Sequence, residues 1–315
     1  MRPWTGLRPA VMIAAAAALV SASVGAQSTA PPDPLVKEGI TVKLGEHTYA
    51  IPDGNVPLVP NVGIVVGSSA VLVIDPGLGQ RNGEAVLREV AKVGAGKPLF
   101  IASTHFHAEH TTGALAFPAS AKYIDSTIQE AEFAEGGAQQ IALFSTRSPM
   151  TAELLRGAVQ RKADVTFDRE YRLDLGDVHV RMVVVGPTHT RGDTGLFVEE
   201  DRVLFAGDVV MNKSFVAAGP ATSMRAWLAA FETFSAMRPQ TIVPSHGAVG
   251  DGSLILTNRT LMITISRRAS EMKAAGRSED DAVRTVQQEQ QAQHPDWPRA
   301  NGIAPAARAA YAEAP

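Results

Sequence analysis

Thr104-His105-Phe106-His107-Ala108-Glu109-His110 places three histidines and a carboxylate within six residues, directly after the apolar run Leu99-Phe100-Ile101-Ala102. Side chains alternate sides in extended backbone, so His105 and His107 project the same way and their imidazoles can grip one ion. Glu109 and His110 lie where the chain turns toward Thr111-Thr112-Gly113, and they offer donors to a second ion. Imidazole and carboxylate without thiolate suit zinc first, then manganese or iron. Five of the eight histidines fall in stretches of this kind. Such a cluster marks a metal or catalytic site rather than unrelated surface residues.

Working outward, one pattern recurs: an apolar strand, a small or turn residue, then a metal-ligating side chain. Val183-Val184-Val185-Gly186-Pro187-Thr188-His189, Phe205-Ala206-Gly207-Asp208 and Val243-Pro244-Ser245-His246-Gly247 each follow it. Strand ends of that type share one rim of a sandwich, where polar groups converge over an apolar scaffold. Alternating polarity predicts a hairpin over 40–44 and 47–51, with further strands at 62–66, 70–74 and 98–103. Helical spacing of Val86, Leu87, Val90 and Val93 predicts a helix over 84–93. The middle carries a strand near 122–124 and a helix over 126–135, with Gly136-Gly137 and Ser148-Pro149 as breaks. A second run of strands starts near Val165 and takes in 171–175, 178–185, 196–198, 203–205 and 241–243. Between the last two, residues 224–237 put Trp227, Leu228, Phe231 and Phe234 on one stripe, read as core. Residues 254–293 are helical with an interruption at Gly276.

The order His-x-His-x-acid-His, then Gly-Pro-Thr-His-Thr, Gly-Asp and Pro-Ser-His-Gly resembles the metallo-β-lactamase-fold superfamily of metallo-hydrolases. Val73-Ile74-Asp75-Pro76-Gly77 resembles that family's first motif. The resemblance implies an α/β chain, a four-layer αβ/βα sandwich with extra C-terminal helices. It also implies the sites: His105, His107 and His189 for one ion, Glu109, His110 and His246 for the second, and Asp208 as the bridge. Asp75 is implied to be structural, its carboxylate satisfying loop amides. Two departures stand out. The family usually has aspartate where this chain has Glu109, a side chain roughly 1.5 Å longer in reach. There is no cysteine to serve as the zinc ligand some β-lactamases use, and Asp208 in that place is more similar to glyoxalase II and to periplasmic SoxH-like members.

The expected activity is metal-assisted hydrolysis of an ester, thioester, lactone or amide-type bond, with two zinc ions activating the attacking water. Glu109 and Asp208 are the expected catalytic carboxylates, Glu109 orienting the nucleophile or accepting its proton. Lys213 and Arg191 are weaker candidates for contacts to an anionic substrate group, since exposed cations are common. Residues 133–161 and the C-terminal helices are expected to cover the site. Other readings are a β-lactamase, a mononuclear iron oxidative enzyme, and a non-catalytic metal binder with a degraded second site. His47, His179 and His294 fall outside the motifs.

Residues 1–26 read as a signal peptide: Arg2 and Arg8 precede an apolar run that ends in the small residues Val24-Gly25-Ala26. Residues 27–35 read as a flexible tether, 36–250 as the metal-bearing domain and 251–315 as a helical extension packed on it. A periplasmic or secreted protein follows, without stable membrane insertion once the leader is cleaved. The absence of cysteine excludes disulfides and a lipidated N-terminal cysteine. A net charge of −3 offers no basic footprint for nucleic acid, so the expected partner is a small-molecule substrate.

Overall fold

The computed structural model describes Met1 and residues 32–315. The expected signal segment and the first part of the tether fall on residues 2–31 and lie outside the described residues. Strands β1 (Val42–Lys43), β2 (Thr48–Ile51), β3 (Val62–Val66) and β4 (Val71–Ile74) form an antiparallel meander. Helix α1 (Gly79–Gly94) crosses over to β5 (Leu99–Ala102), which lies parallel to β4. Short helix α2 (Ala108–Thr111) and a tight turn over Thr112–Ala116 lead to β6 (Lys122–Ser126), again parallel. Helices α3 (Thr127–Ser145) and α4 (Pro149–Leu154) precede β7 (Val165–Phe167), which closes this seven-stranded sheet in sequence order.

The second sheet has six strands. β8 (Glu170–Asp174), β9 (His179–Val184), β10 (Thr194–Val198) and β11 (Val203–Gly207) run antiparallel. Helix α5 (Met224–Met237) then carries the chain to β12 (Thr241–Pro244), parallel to β11, with β13 (Gly250–Asp251) at the edge. Helices α6 (Ser253–Ala274), α7 (Glu279–Gln293) and α8 (Ile303–Glu313) complete the chain.

Three apolar layers hold the sandwich. Val65, Leu72, Ile74, Met182, Leu196, Phe205 and Val243 pack between the sheets. Val86 and Val90 of α1 cover the outer face of the first sheet with Ile64, Val73 and Ile101. Trp227, Phe231 and Phe234 of α5 cover the second sheet together with Met262, Ile265 and Val286. The buried Trp227 indole is satisfied by donating to Val209 O at 2.9 Å, as a buried Trp N–H requires.

Two expectations are corrected and a third is refined. Gly136-Gly137 does not break the middle helix: α3 runs through it to Ser145, because the Phe133 ring lies where a Gly137 Cβ would be and packs on the bare backbone. Ser148-Pro149 does punctuate the chain, yet it starts α4 with a capping box and a first-turn proline. The strand at Val165 belongs to the first sheet, beside β6, not to the run of strands that follows it. α8 has no counterpart in the apolar periodicity; its buried face is mostly alanine, Ala306, Ala307 and Ala310 beside Ile303.

Candidate metal centre

The ligating side chains stand on one rim because most lie in the loops that follow strands, with Glu109 and His110 on short helix α2 just beyond β5. β5, buried at Ile101 and Ala102, ends just before His105. β11 ends in a register shift between Phe205 and Gly207 against β12, with Gly207 at φ +62°, a conformation that suits glycine. A bulge of this kind re-aims the residue after it, here Asp208. β12 delivers Ser245 and His246, and the loop after β9 delivers His189.

His105, His107 and His189 come together as one donor set, and Glu109, His110 and His246 as another, with the donor atoms of each set within 4.8 Å of one another. His107 Nδ1 lies 3.1 Å from both His105 Nε2 and His189 Nε2. Two ligands held at about 2.0 Å on a tetrahedral zinc stand about 3.3 Å apart, so the first set has the spacing of a metal triad. The His105 and His110 rings, 4.0 Å between centroids, join the two sets. Asp208 Oδ2 lies 3.6 Å from His189 Nε2.

The outer nitrogens of these rings are fixed from behind. His246 Nδ1 meets Val59 O at 2.9 Å, and His189 Nδ1 meets Ala217 O. His105 Nδ1 lies 3.1 Å from Thr104 Oγ1. Thr104 in turn donates from N and Oγ1 to Asp75, at 2.7 and 2.8 Å. Partners of this type set ring orientation and tautomer. Asp75 thus satisfies a loop amide, while its Oδ2 also lies 3.0 Å from His110 Nδ1, off the alignment of a hydrogen bond.

Burial holds His105, His107 and His110 well below the ordinary histidine range, so these imidazoles are neutral donors. Burial raises Glu109 to about 7, assisted by the charge of Asp208. Burial also opposes ionisation of Asp208, but His246 and the Arg299 guanidinium facing it hold it well below the usual carboxylate range. Four buried atoms in this small space find no hydrogen-bond partner among the described residues: Glu109 Oε2, Asp208 Oδ1 and both His110 nitrogens. Buried polar atoms are rarely left so, and a bound cation is the partner that carboxylate oxygens and neutral imidazoles share. The donor set fits a metal.

All seven residues lie within 55–246, the stretch that matches the Metallo-beta-lactamase superfamily. The chain belongs to that superfamily. It is 30% identical over 168 residues to the acyl-coenzyme A thioesterase MBLAC2 of Gallus gallus, covering 50% of this chain and 59% of that protein. The human MBLAC2 thioesterase is 28% identical over 171 residues, 50% of this chain and 60% of that protein. The chain therefore spans about three-fifths of the length of these relatives. Among solved structures, a metallo-beta-lactamase from Pontibacter korlensis superposes with a TM-score of 0.56 at 19% identity, over 70% of this chain and 96% of that one. The sec-alkylsulfatase Pisa1 from Pseudomonas sp. reaches 0.62 at 14% identity, over 86% of this chain and 49% of that one. These likenesses show the αβ/βα sandwich of the superfamily.

A cavity of about 450 Å³ opens over the centre, lined by His107, Glu109, His189, Asp208 and His246. Its walls come from α3 and the turn after it, with Gln140, Phe144 and Arg147, and from the C-terminal segment with Arg299. Lys213 lines a second cavity of about 670 Å³ that shares His246 and Arg299 with the first. Arg191 sits on the far side of His107 and His189, where Glu132 and Glu135 hold its guanidinium. Trp227 and Phe231 are buried in the core. His179 groups with Glu199 and Glu200, but Glu199 is taken by Arg172 at 2.7 Å. His294 stacks on Trp297 at 4.0 Å. Sequence reasoning missed Arg147 and Arg299. Neither sits in a motif, and an arginine near a helix end carries no local signal of a distant cavity.

Proposed function

We propose that this chain is an exported, binuclear zinc hydrolase that opens an ester, thioester, lactone or amide-type bond of a small molecule. The observation that carries the reading is the pair of three-residue donor sets beside Asp208 at one cavity, with Glu109 Oε2, Asp208 Oδ1 and both His110 nitrogens buried and unpartnered. The thioesterase relatives support thioesters as the first class to test. Export, to a periplasm or beyond, rests on the leader pattern, and the acidic net charge supports a partner other than nucleic acid. Among the described residues no helix is long and apolar enough to cross a membrane.

His105, His107 and His189 would hold one ion, Glu109, His110 and His246 the other, with Asp208 between them. Bound there, zinc supplies Lewis-acid activation of water and of the acyl oxygen near neutral pH. Glu109, buried beside Asp208 and unpartnered at Oε2, takes a proton from the attacking water and returns it to the departing oxygen, sulfur or nitrogen. The buried walls under the cavity hold the ring nitrogens in place, so little reorganisation accompanies the reaction.

Elemental mass spectrometry on mature protein purified without added metal tests the reading. About two zinc ions per chain, followed by turnover in an ester, thioester, lactone and β-lactam panel, supports it. Iron at about one per chain replaces it with oxidative chemistry. The intact mass of the exported form tests cleavage after Ala26.

A further inference from the structure

Arg299 reaches the metal centre from the C-terminal extension, 91 residues beyond Asp208, and its Nη1 lies 3.4 Å from Asp208 Oδ2. Its backbone is left-handed, φ 65° and ψ 31°, which is uncommon for a residue with a Cβ and is kept where surrounding structure enforces it. The enforcing contacts are on the segment after Asp208. Pro298 O accepts from Phe215 N at 3.2 Å, Gly302 N donates to Arg299 O at 2.9 Å, and Gly302 packs on Val216 O where a Cβ has no room. The Phe215 and Trp297 rings meet at a 60° tilt with centroids 5.5 Å apart. The backbone that carries the guanidinium is therefore fixed at the cavity wall by the fold.

Across the same cavity, Arg147 lies over the Phe144 ring at 4.4 Å and pairs with no carboxylate among the described residues. Outside the ligands, the two cavities, which share His246 and Arg299, are lined by the cations Arg147, Arg299 and Lys213 against one carboxylate, Asp53. The Asp53 oxygens are already occupied, accepting from Asn55 N at 3.0 Å and Gly247 N at 2.7 Å. Asp208 engages a single N–H of Arg299, at a length beyond the usual 2.7–2.9 Å or so of a charge-assisted bond, which leaves donors of the fork free.

Building on the hydrolase reading, we propose that Arg299, with Arg147 opposite, binds an oxyanion carried by the substrate a few atoms from the bond that is cut. Arg299 is thereby the selector for anionic over neutral acyl compounds. Carboxylate, sulfonate and phosphonate share the recognition chemistry, since a guanidinium fork matches all three.

The test compares p-nitrophenyl butyrate with the p-nitrophenyl monoesters of succinate, sulfopropionate and phosphonopropionate, using zinc-loaded full-length mature protein. An anionic ester is preferred in kcat/KM. Arg299→Gln lowers that anionic-to-neutral ratio by about tenfold or more, the worth of a hydrogen bond to a charged group. Arg299→Lys restores part of it, and the preferred anion identifies the source. A readout independent of turnover is calorimetric binding of succinamate, weakened about tenfold in Arg299→Gln and in Arg147→Gln with zinc content preserved. If no ester is cut but succinamate binding depends on Arg299, the hydrolase reading fails and the anion site stands. An unchanged ratio and unchanged succinamate affinity in Arg299→Gln overturn the proposal. So does loss of zinc with selectivity intact, which would make Arg299 a partner of Asp208 alone.

Discussion

The rim and the wall of the cavity are built on opposite plans. On the rim, His105, Asp208 and His246 are buried just beyond strand ends and His110 is buried in short helix α2, braced by Thr104, Asp75 and backbone carbonyls. The wall is drawn from helices and turns far apart in the chain, with Arg147 and Arg299 partly open to solvent and few partners. Strands under a packed core hold donor atoms to tenths of an ångström, which metal ligation needs. Loops and added helices tolerate change, and they are where substrate choice is set.

The comparison is tested hardest on the rim. His105→Ala removes a member of the first donor set, so zinc content falls by about one ion per chain. Activity falls by more than about a hundredfold, since loss of a mere supporting partner already costs up to that much. Elemental analysis and steady-state kinetics on the same sample check both. Glu109→Gln keeps the shape but abolishes proton acceptance, so turnover falls about a hundredfold or more while the first donor set retains its ion. Equal kcat for Glu109→Gln and the parent would remove Glu109 from the chemistry.

One step back from the ligands, Asp75→Asn replaces one of the two oxygens that accept from Thr104. Zinc affinity drops about ten- to hundredfold by chelator competition, with secondary structure intact by circular dichroism. The smallest effect belongs to Arg191→Gln. Its partner Glu132 keeps the backbone N–H groups of Arg191 and Gly192, both at 2.8 Å, so the buried carboxylate stays satisfied. Stability changes by less than about 1 kcal/mol in thermal melts and kcat/KM by less than about twofold. A large loss of kcat/KM there would move substrate recognition to the far side of His107.

Much of the rim was legible because its ligands follow strands whose apolar runs are short, unbroken and bounded by turn residues. His189, Asp208 and His246 could be placed by pattern before their neighbours in space were known. Local rules failed where a side chain at a distance changed the outcome. Gly136-Gly137 reads as a break until Phe133 is seen to cover it. The strand at Val165 reads as the start of the second sheet until it is found parallel to β6. α8 reads as nothing in particular because alanine gives weak periodicity, and its burial exists against α5, α6 and α7.

By itself, the sequence determined the donor chemistry, the order of the ligands along the chain and the layered α/β architecture. Each is encoded locally, in residue type, in the period of apolar positions and in the turn after each strand. Tertiary structure alone decided that two donor sets meet, that Asp75 stands behind them through Thr104, and that Arg147 and Arg299 face one cavity. Contacts of this kind join residues as many as 194 positions apart, Asp53 to Gly247 among them. No local propensity specifies them; the packing of two sheets and their covering helices does.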